Sequence, residues 1–379
     1  MRAVGKVLKS GWLTTGKETI AFEGEFAEFV GATHAVAVNS ATSGLHLALA
    51  ALGIGPGDAV LVPTFTFVAT AEVVHYLGAQ PVFVDIDRRT YNIDPAGLSK
   101  AVEDAQGRGL AARAVVPVHI AGRPCDMPQL LKSAAELDLV VLEDAAHAFP
   151  VAIGGGHVGN LGTAGVYSFY ATKPITTGEG GMLVTNNDHI AEAARRLRLH
   201  GIDRDVWRRY TDVGSAWRYD VTANGFKYNM PDTAAALGRV QVRRAEALKQ
   251  RRVAVAESYI KAFNDKGVPR GLRLPDAGGP HAHHLFIVEI DHTTVEGGRD
   301  GVHGDLAAKG IGSSVHFIPV HSFSYYKERY GYTDHSFPEA WAAFKNVLSL
   351  PMHAHLGRRN IRRVVEAVVA SVRRRARDT

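Results

Sequence analysis

The sequence predicts an α/β fold whose mostly parallel central sheet is sandwiched by helices and followed by a smaller C-terminal α/β domain. The chain has 379 residues, of which 46% are hydrophobic. At about 150 residues per domain, this length corresponds to two domains with a sizeable core. Between residues 59 and 142, short apolar runs alternate with helical stretches. Apolar strands separated by helical crossovers are typical of a parallel sheet that is covered on both faces.

Four β-rich runs predict the strands of this sheet, at residues 59–63, 81–86, 114–120 and 139–142. Near Pro231 a long helical pattern begins, and a loop rich in Gly and Pro follows it at residues 267–280. Beyond the loop the sequence predicts a strand at 285–290, a helix after Gly301, a strand at 314–318 and a closing helix. We therefore expect a large domain of residues 1–240 and a small domain of residues 241–379.

The closing helix explains much of the positive charge of the chain. There are 43 Lys and Arg residues against 38 Asp and Glu, which gives a net charge of +5 and a pI of about 9.2. Near the C-terminus, arginines are interleaved with apolar residues at helical spacing, namely Ile361, Val364, Val365, Val368, Val369 and Val372. This pattern predicts an amphipathic helix whose arginines face solvent, so nucleic acid is not expected as a partner.

Further features limit the class of protein. No run of twenty apolar residues occurs, so no membrane-spanning segment is expected. Cys125 is the single cysteine, which excludes an internal disulfide, and the first residues lack the apolar stretch of a secretory signal. These features predict a cytoplasmic location, and no metal site is expected.

A Gly-x-Gly-x-x-Gly pattern occurs at Gly154, Gly156 and Gly159. In a dinucleotide-binding site this pattern closes a strand and opens a helix. Here it leads instead into an apparent strand at residues 165–169. We therefore interpret it as a tight loop.

The segment 39–44 is a better candidate for phosphate binding. It lies between an apolar strand at 35–38 and a helical run at 45–52, and it contains Thr42 and Ser43. Small hydroxyl residues there can cap the helix, while its free N–H groups point at an anion. An ordinary helix cap that binds no ligand would explain the same hydroxyl residues.

Residues 143–147 follow the predicted strand at 139–142, where ligands of parallel sheets collect. Asp144 in this position needs a partner, because an unpaired buried carboxylate is costly. The partner could be an arginine, a helix terminus or a protonated nitrogen of a heterocyclic cofactor.

Lys173 lies in the segment 168–181, which is rich in hydroxyl residues and glycine. Partial desolvation at the edge of a sheet would lower its pKa and favour a Schiff base, although most lysines are simply solvated. A capped helix, an aspartate and a lysine suit the phosphate, the pyridine nitrogen and the aldehyde of pyridoxal 5′-phosphate (PLP).

The chain also resembles the DegT/DnrJ/EryC1/StrS family of PLP-dependent aminotransferases, which act on nucleotide-linked keto sugars. The resemblance extends from the segment 11–16 to about residue 352, and its markers are the segments 63–70, 81–86, 143–147, 168–181 and 225–231. It implies the fold of a type I PLP-dependent aminotransferase, and a homodimer with active sites at the subunit interface.

The resemblance implies a role for each residue that matches a family motif. Lys173 would form the Schiff base with PLP, and Asp144 would pair with the pyridinium nitrogen. The other implied cofactor contacts are Thr42, Ser43 and Ser168 at the phosphate, His147 near the 3′-oxygen and Phe67 on the ring face.

Other motifs concern the neighbouring subunit and the sugar. Many relatives have Asn and Arg where this chain has Lys227 and Asn229, so either residue could make the contact with the partner's phosphate. The Lys-Tyr-Asn version is similar to relatives that act at sugar C4. Thr14, His200 and His316 lie in segments that resemble the sugar-binding parts of the family.

The expected function is PLP-dependent transfer of an amino group from L-glutamate to a dTDP- or UDP-linked 4-keto-6-deoxy sugar, in amino-sugar or antibiotic biosynthesis. Two alternatives remain within this resemblance: amination of a keto-cyclitol in an aminoglycoside pathway, and a cofactor-binding regulator without catalysis. A sugar dehydratase would be expected to carry His at position 173, and a nicotinamide oxidoreductase would rest on the glycine loop at Gly154 alone.

Overall fold

The computed structural model describes residues 1–203, 219–276 and 278–377. The helices are α1 (Arg2–Ser10), α2 (Lys17–Val30), α3 (Ala41–Ala51), α4 (Ala69–Tyr76), α5 (Leu98–Gly107), α6 (Met127–Glu136), α7 (Asp188–Leu197), α8 (Asp232–Val242), α9 (Ala245–Lys266), α10 (Gly298–Ala308), α11 (Ser324–Tyr330), α12 (Pro338–Asn346) and α13 (Arg358–Arg374). The strands are β1 (His34–Val38), β2 (Asp58–Pro63), β3 (Gln80–Val84), β4 (Ala111–Val115), β5 (Val140–Asp144), β6 (Ala152–Ile153), β7 (Gly156–His157), β8 (Ala164–Ser168), β9 (Gly181–Thr185), β10 (Leu272–Arg273), β11 (Phe286–Ile290) and β12 (Val347–Leu350).

The central sheet has seven strands in the order β1-β9-β8-β5-β4-β2-β3. Neighbouring strands from β3 to β8 are parallel, whereas β9 runs antiparallel to both β8 and β1. The four predicted strands of this sheet are β2 to β5, which confirms the α/β fold with a mostly parallel sheet. Buried side chains of helices cover both faces, with α3, α4 and α7 on one face and α2, α5, α6 and α8 on the other.

The C-terminal part contains a second, three-stranded antiparallel sheet in the order β10-β11-β12. Helix α13 packs on it, and the six apolar residues predicted as the stripe of the closing helix are all buried there. In the long helix α9, Leu248 packs with the core around α2, whereas Val255 packs with the core around α13. The boundary between the large and the small domain at residues 240 and 241 stays a prediction.

The strand predicted at 314–318 is wrong. The segment forms a single bridge, from Ser314 to Ser349, and the strand that pairs with β11 is β12. The side chains of His316 and Phe317 instead line a cavity. The glycine pattern at 154–159 forms a short hairpin of β6 and β7 and then a loop into β8, which confirms the interpretation as a tight loop.

The ends of several central strands meet at one edge of the sheet. Asp144 and Ser168 are the last residues of β5 and β8, and Gly181, the first residue of β9, pairs with Ser168. Gly181 also lies against the start of α3, where a Cβ atom would approach the carbonyl carbon of Ser40 to 2.6 Å. Only glycine allows this close approach, which brings the turn before α3 to the same edge as Asp144. Among the described residues, no helix is long and apolar enough to cross a membrane.

Candidate active site

A cavity of about 480 Å³ opens at this edge of the sheet. Seven of the site residues predicted from the sequence line it: Thr42, Phe67, Asp144, His147, Ser168, Lys173 and His316. They come from segments that are far apart in sequence, so the fold itself assembles the site. A cavity at the carboxyl ends of parallel strands is the usual position of a ligand site in α/β proteins.

The turn before α3 forms one wall of the cavity. Ser40 is the N-cap of α3, and its Oγ accepts a hydrogen bond of 3.1 Å from the backbone N–H of Ser43. The Ser43 hydroxyl donates to Oδ1 of Asn39 at 2.6 Å and is buried behind the cavity, while Thr42 lines it. The N-terminus of α3 carries partial positive charge and free N–H groups, which suit a phosphate.

Asp144 is 6% exposed and is held by two neutral donors. The N–H of Ala146 donates to Oδ1 and the hydroxyl of Thr70 donates to Oδ2, each at 3.1 Å. Burial raises the pKa of Asp144, although these hydrogen bonds and the positive charge of Lys173 oppose the shift. A carboxylate in this environment is stabilised by any cation that enters the cavity.

Lys173 follows β8 in the chain and faces the same cavity as Asp144. Burial lowers the pKa of Lys173 to about 8, although the negative charge of Asp144 acts in the opposite direction. An ordinary lysine has a pKa of about 10.4. The amine of Lys173 is therefore half free base at about pH 8, far below the pH that an ordinary lysine needs to become a nucleophile.

Three histidines form another part of the wall. His147 and His284 are buried with ring centroids 4.4 Å apart, and the Nδ1 atoms of both lack a hydrogen-bond partner among the described residues. Nδ1 of His316 is hydrogen bonded to Oγ of Ser349 at 2.8 Å. Burial and the charge of Lys173 lower the pKa of His316 to about 4, and burial holds the pKa of His147 and of His284 well below the usual value. All three imidazoles are uncharged at neutral pH.

The comparisons with known proteins agree with this geometry. A profile of the DegT/DnrJ/EryC1/StrS aminotransferase family matches residues 1–369. The chain belongs to this family. It is 44% identical over 371 residues to the spore coat polysaccharide biosynthesis protein SpsC of Bacillus subtilis, and the match covers 97% of this chain and 93% of SpsC.

Solved structures of the family are similar over almost the whole chain. The putative sugar aminotransferase Spr1654 of Streptococcus pneumoniae, in its pyridoxamine phosphate (PMP) form, has a TM-score of 0.89 at 29% identity, with 98% of this chain and 96% of Spr1654 covered. PseC of Helicobacter pylori, an aminotransferase involved in the biosynthesis of pseudoaminic acid, has a TM-score of 0.88 at 28% identity, with 98% and 96% covered. Spr1654 has also been solved in a PLP form. The present chain is thus a PLP-dependent sugar aminotransferase with the corresponding fold, and neither the regulator nor the keto-cyclitol alternative is favoured.

The residues of this family member fit PLP. The cavity offers the helix N-terminus at Ser40 for a phosphate, the carboxylate of Asp144 for a protonated ring nitrogen and the amine of Lys173 for an aldehyde. In addition, Nδ1 of His147 is buried and has no hydrogen-bond partner in residues 1–203, 219–276 and 278–377, so its capacity for one polar contact is unused.

Phe67 and Ser168 also lie where a cofactor could contact them. Phe67 lines the cavity but is 61% exposed, so its ring is free to cover a ligand. The Ser168 Oγ accepts a weak hydrogen bond of 3.3 Å from the N–H of Tyr170. Within the described part of the chain its own proton has no acceptor, so it can be donated to a phosphate.

Four predicted site residues lie away from the cavity of this chain. Lys227 Nζ donates to Oδ1 of Asn229 at 2.5 Å, and Asn229 Nδ2 donates to Oγ1 of Thr15 at 2.7 Å. Neither Thr14 nor His200 is buried, and none of the four lines the cavity. Residues 204 and 205, the end of the motif that begins at His200, lie outside the described residues. The roles of these four residues stay predictions.

The structure adds three residues that the sequence did not single out. Ser40 and Thr70 belong to segments that were recognised, but the sequence did not show that Ser40 caps α3 or that Thr70 reaches Asp144. The third is His284, which follows the glycine-rich loop and carries no motif of its own.

Glu143, the residue before Asp144, has a structural role that was not predicted from the sequence. Glu143 is fully buried, and its carboxylate accepts hydrogen bonds from the backbone N–H groups of Gly159, Leu161 and Gly162 at 2.7–2.8 Å. His119 Nε2 lies 3.1 Å from the same carboxylate. The loop that contains the glycine pattern thus wraps around Glu143 and fixes the end of β5.

Proposed function

We propose that this enzyme transfers the amino group of L-glutamate to the keto carbon of a nucleotide-linked 4-keto-6-deoxy sugar, with dTDP or UDP as the nucleotide. Glutamate becomes 2-oxoglutarate, and the keto carbon becomes an amine-bearing carbon. The observation that carries the proposal is the position of Lys173 and Asp144 in one cavity, where a lysine of lowered pKa faces a buried carboxylate. The names of SpsC and PseC, which refer to polysaccharide and pseudoaminic acid biosynthesis, support a sugar acceptor.

Each cofactor-binding residue has a defined part in this proposal. Thr42 and Ser168 hold the phosphate together with the N-terminus of α3, where Ser43 supports the turn from behind the cavity, and Phe67 covers the ring. Asp144 binds the protonated ring nitrogen, and His147 binds the 3′-oxygen. When bound, PLP supplies an electron sink for the charge that develops as the donor loses its Cα proton.

Lys173 and Asp144 then perform the chemistry of the chain itself. Nζ of Lys173 takes the Cα proton from the donor and returns a proton in the second half-reaction, since its lowered pKa favours the free base. Asp144 keeps the ring nitrogen protonated, because a carboxylate beside that nitrogen raises its pKa. Thr70 and the N–H of Ala146 fix the carboxylate in the position that this contact requires.

The acceptor site is proposed to include His316 from this chain and Thr14 and His200 from a second subunit. Phe67, Tyr170 and Ile318, at the cavity or next to its lining, are exposed apolar residues that a second subunit would cover. We therefore propose a homodimer in which Lys227 or Asn229 of one subunit binds the phosphate in the other. The choice of C4 rests on the Lys-Tyr-Asn version of that motif.

The reaction is tested with nitrogen-labelled L-glutamate and a panel of dTDP- and UDP-linked 3-keto and 4-keto sugars. We expect the label in an amino sugar, detected by mass spectrometry, with a 4-keto-6-deoxy sugar as the preferred acceptor. Formation of 2-oxoglutarate without label in any sugar would exclude the proposed acceptors and direct attention to keto-cyclitols.

The shared site is tested by mixing two inactive variants. One carries Lys173→Ala and the other carries both Lys227→Ala and Asn229→Ala, and each is expected to be inactive as a homodimer. A mixed dimer contains one site with all three residues intact, so activity returns if the motif acts across the interface. If the motif acts within its own chain, each site of the mixed dimer stays defective. The cytoplasmic location and the role in antibiotic biosynthesis stay predictions.

A further inference from the structure

His284 is a buried cavity residue whose backbone is held from several sides. It is 7% exposed, and its N–H donates to the carbonyl of Ala121 at 2.9 Å. Arg252 Nη1 donates to the carbonyl of His283 at 3.2 Å, and the N–H of Ala282 donates to the carbonyl of Gly122 at 2.9 Å. These bonds fix the main chain that carries the imidazole into the cavity wall.

The approach of this segment to the rest of the site depends on Gly122. Gly122 has a φ of +95°, and a Cβ atom there would lie 2.8 Å from the carbonyl oxygen of His147 and from Cβ of Ala282. The three chain segments that carry Gly122, His147 and His284 are therefore packed as closely as glycine allows. The main chain at His284 is therefore pre-positioned, which favours a specific contact to a ligand.

The imidazole has an unused hydrogen-bonding atom. Nδ1 of His284 is buried and has no partner within the part of the chain that the structure describes, which is unfavourable unless a ligand supplies one. The groups that face it are His147, His316, Lys173 and Arg252, and burial together with these groups lowers the pKa of His284 well below its usual value. The imidazole is thus neutral, with one donor and one acceptor.

A neutral imidazole suits a hydroxyl group better than it suits the carboxylates of the amino donor. Among the described residues that line the cavity, Lys173 is the only lysine or arginine, so His284 adds no cation for glutamate. In the function proposed above, the neighbouring His147 binds the 3′-oxygen of PLP. His284 is therefore left for the second ligand of the cavity, the sugar.

We propose that His284 binds the acceptor sugar, through a hydrogen bond to the ring hydroxyl next to the keto carbon. The proposal rests on the function proposed above, because the keto carbon must lie at Nζ of Lys173 and the same cavity wall holds His284. The contact makes His284 a residue that selects a hydroxylated ring over a deoxygenated one.

Binding to the PLP form of the enzyme tests this role without turnover, since the PLP form has no amino group to give to a ketone. The variant His284→Phe fills the same space without a polar atom, and His284→Asn keeps a polar atom near the position of Nδ1. His283→Phe is the matched control, because His283 is also buried but packs on His281 and does not line the cavity. The probes are dTDP-4-keto-6-deoxyglucose and its 3-deoxy counterpart, with Kd measured by calorimetry.

We expect His284→Phe to weaken binding of the hydroxylated sugar about tenfold and to leave binding of the 3-deoxy sugar within about twofold. His284→Asn should recover most of the affinity, and His283→Phe should change neither Kd. The rate at which glutamate converts the PLP form to the PMP form should stay within about twofold in His284→Phe.

An unchanged Kd for the hydroxylated sugar in His284→Phe would overturn the proposal. An equal loss for both sugars would also overturn it, because the hydroxyl would then not be the partner. A slower glutamate half-reaction with unaltered sugar binding would assign His284 to the cofactor instead. If the wild-type enzyme binds and aminates none of the keto sugars in the panel, the proposed function fails first, and the inference fails with it.

Discussion

The hydroxyl of Thr70 donates a hydrogen bond of 3.1 Å to Oδ2 of Asp144. Thr66 Oγ1 lies 3.0 Å from the Thr70 hydroxyl, so two buried threonines from the segment after β2 form a chain that ends on the carboxylate at the end of β5. The threonine-rich motif at 63–70 therefore helps to orient the group that is proposed to keep the cofactor ring protonated.

Thr70→Val should slow the glutamate half-reaction about three- to tenfold, because it removes one neutral hydrogen bond to Asp144 and keeps the side-chain shape. The rate is measured by stopped-flow absorbance as the PLP form converts to the PMP form. Thr70→Ser keeps the hydroxyl and should retain most of the wild-type rate. Thr64→Val is the matched control, since Thr64 is also buried but bonds to His321. Equal slowing in both valine variants would mean that only the packing of this segment matters.

Lys173→Ala should abolish the Schiff-base absorbance band and lower turnover by at least about 100-fold, because positioned proton transfer contributes about 10²–10⁴-fold. Lys100→Ala serves as the control, since Lys100 is exposed and pairs with Asp104 on the surface. Absorbance spectra and steady-state amino transfer measure both variants. Full activity in Lys173→Ala would contradict the assignment of the lysine.

The rate of PLP reloading onto the cofactor-free enzyme should depend on pH with a midpoint at about 8. Only the neutral amine attacks an aldehyde, and burial lowers the pKa of Lys173 to about 8, so the rate should fall below that pH and level off above it. An exposed lysine would instead keep gaining reactivity up to about pH 10. Stopped-flow absorbance from about pH 6 to about pH 10 provides the profile.

The same profile tests the coupling between the two central residues. The negative charge of Asp144 raises the pKa of Lys173 against the effect of burial, so Asp144→Asn should move the midpoint below that of the wild type. The variant should still bind PLP but slow removal of the Cα proton severely. An unaltered midpoint would show that Asp144 exerts no field at Lys173.

Much of the scaffold was predictable, because the signals are local. The apolar runs of β2 to β5 and the valine stripe of α13 follow from the period of side-chain burial. The segment 314–318 has similar composition, but its residues His316 and Phe317 line the cavity, and β12 takes the place beside β11. Strand pairing depends on distant partners, so composition alone does not distinguish these two segments.

Contacts between distant segments also limited what the sequence could predict about the site. Lys173 and Asp144 lie in motifs with recognisable residue patterns, whereas His284 is defined by what surrounds it after folding. Its unpartnered Nδ1 depends on packing against His147 from a separate segment, and no pattern near residue 284 encodes that contact. The residues proposed to act across the subunit interface were also hard to assign. In a single chain they lie away from the cavity, so their position does not show which cavity they serve.

The last prediction separates the structural and ligand-binding roles of the turn before α3. Ser40→Ala removes the N-cap of α3 and should lower the free energy of unfolding by about 1 kcal/mol, seen as a lower urea midpoint of the cofactor-free enzyme. Asn187→Ala is a matched change, because Asn187 caps α7 through the N–H of Ile190 and does not line the cavity. Both variants should be destabilised to a similar degree. Only Ser40→Ala should also raise the Kd for PLP. A loss of ~1 kcal/mol in phosphate binding corresponds to a rise of about fivefold in this Kd. Equal PLP affinity in the two variants would show that the turn is a helix cap alone, because a cap that binds no phosphate affects folding and nothing else.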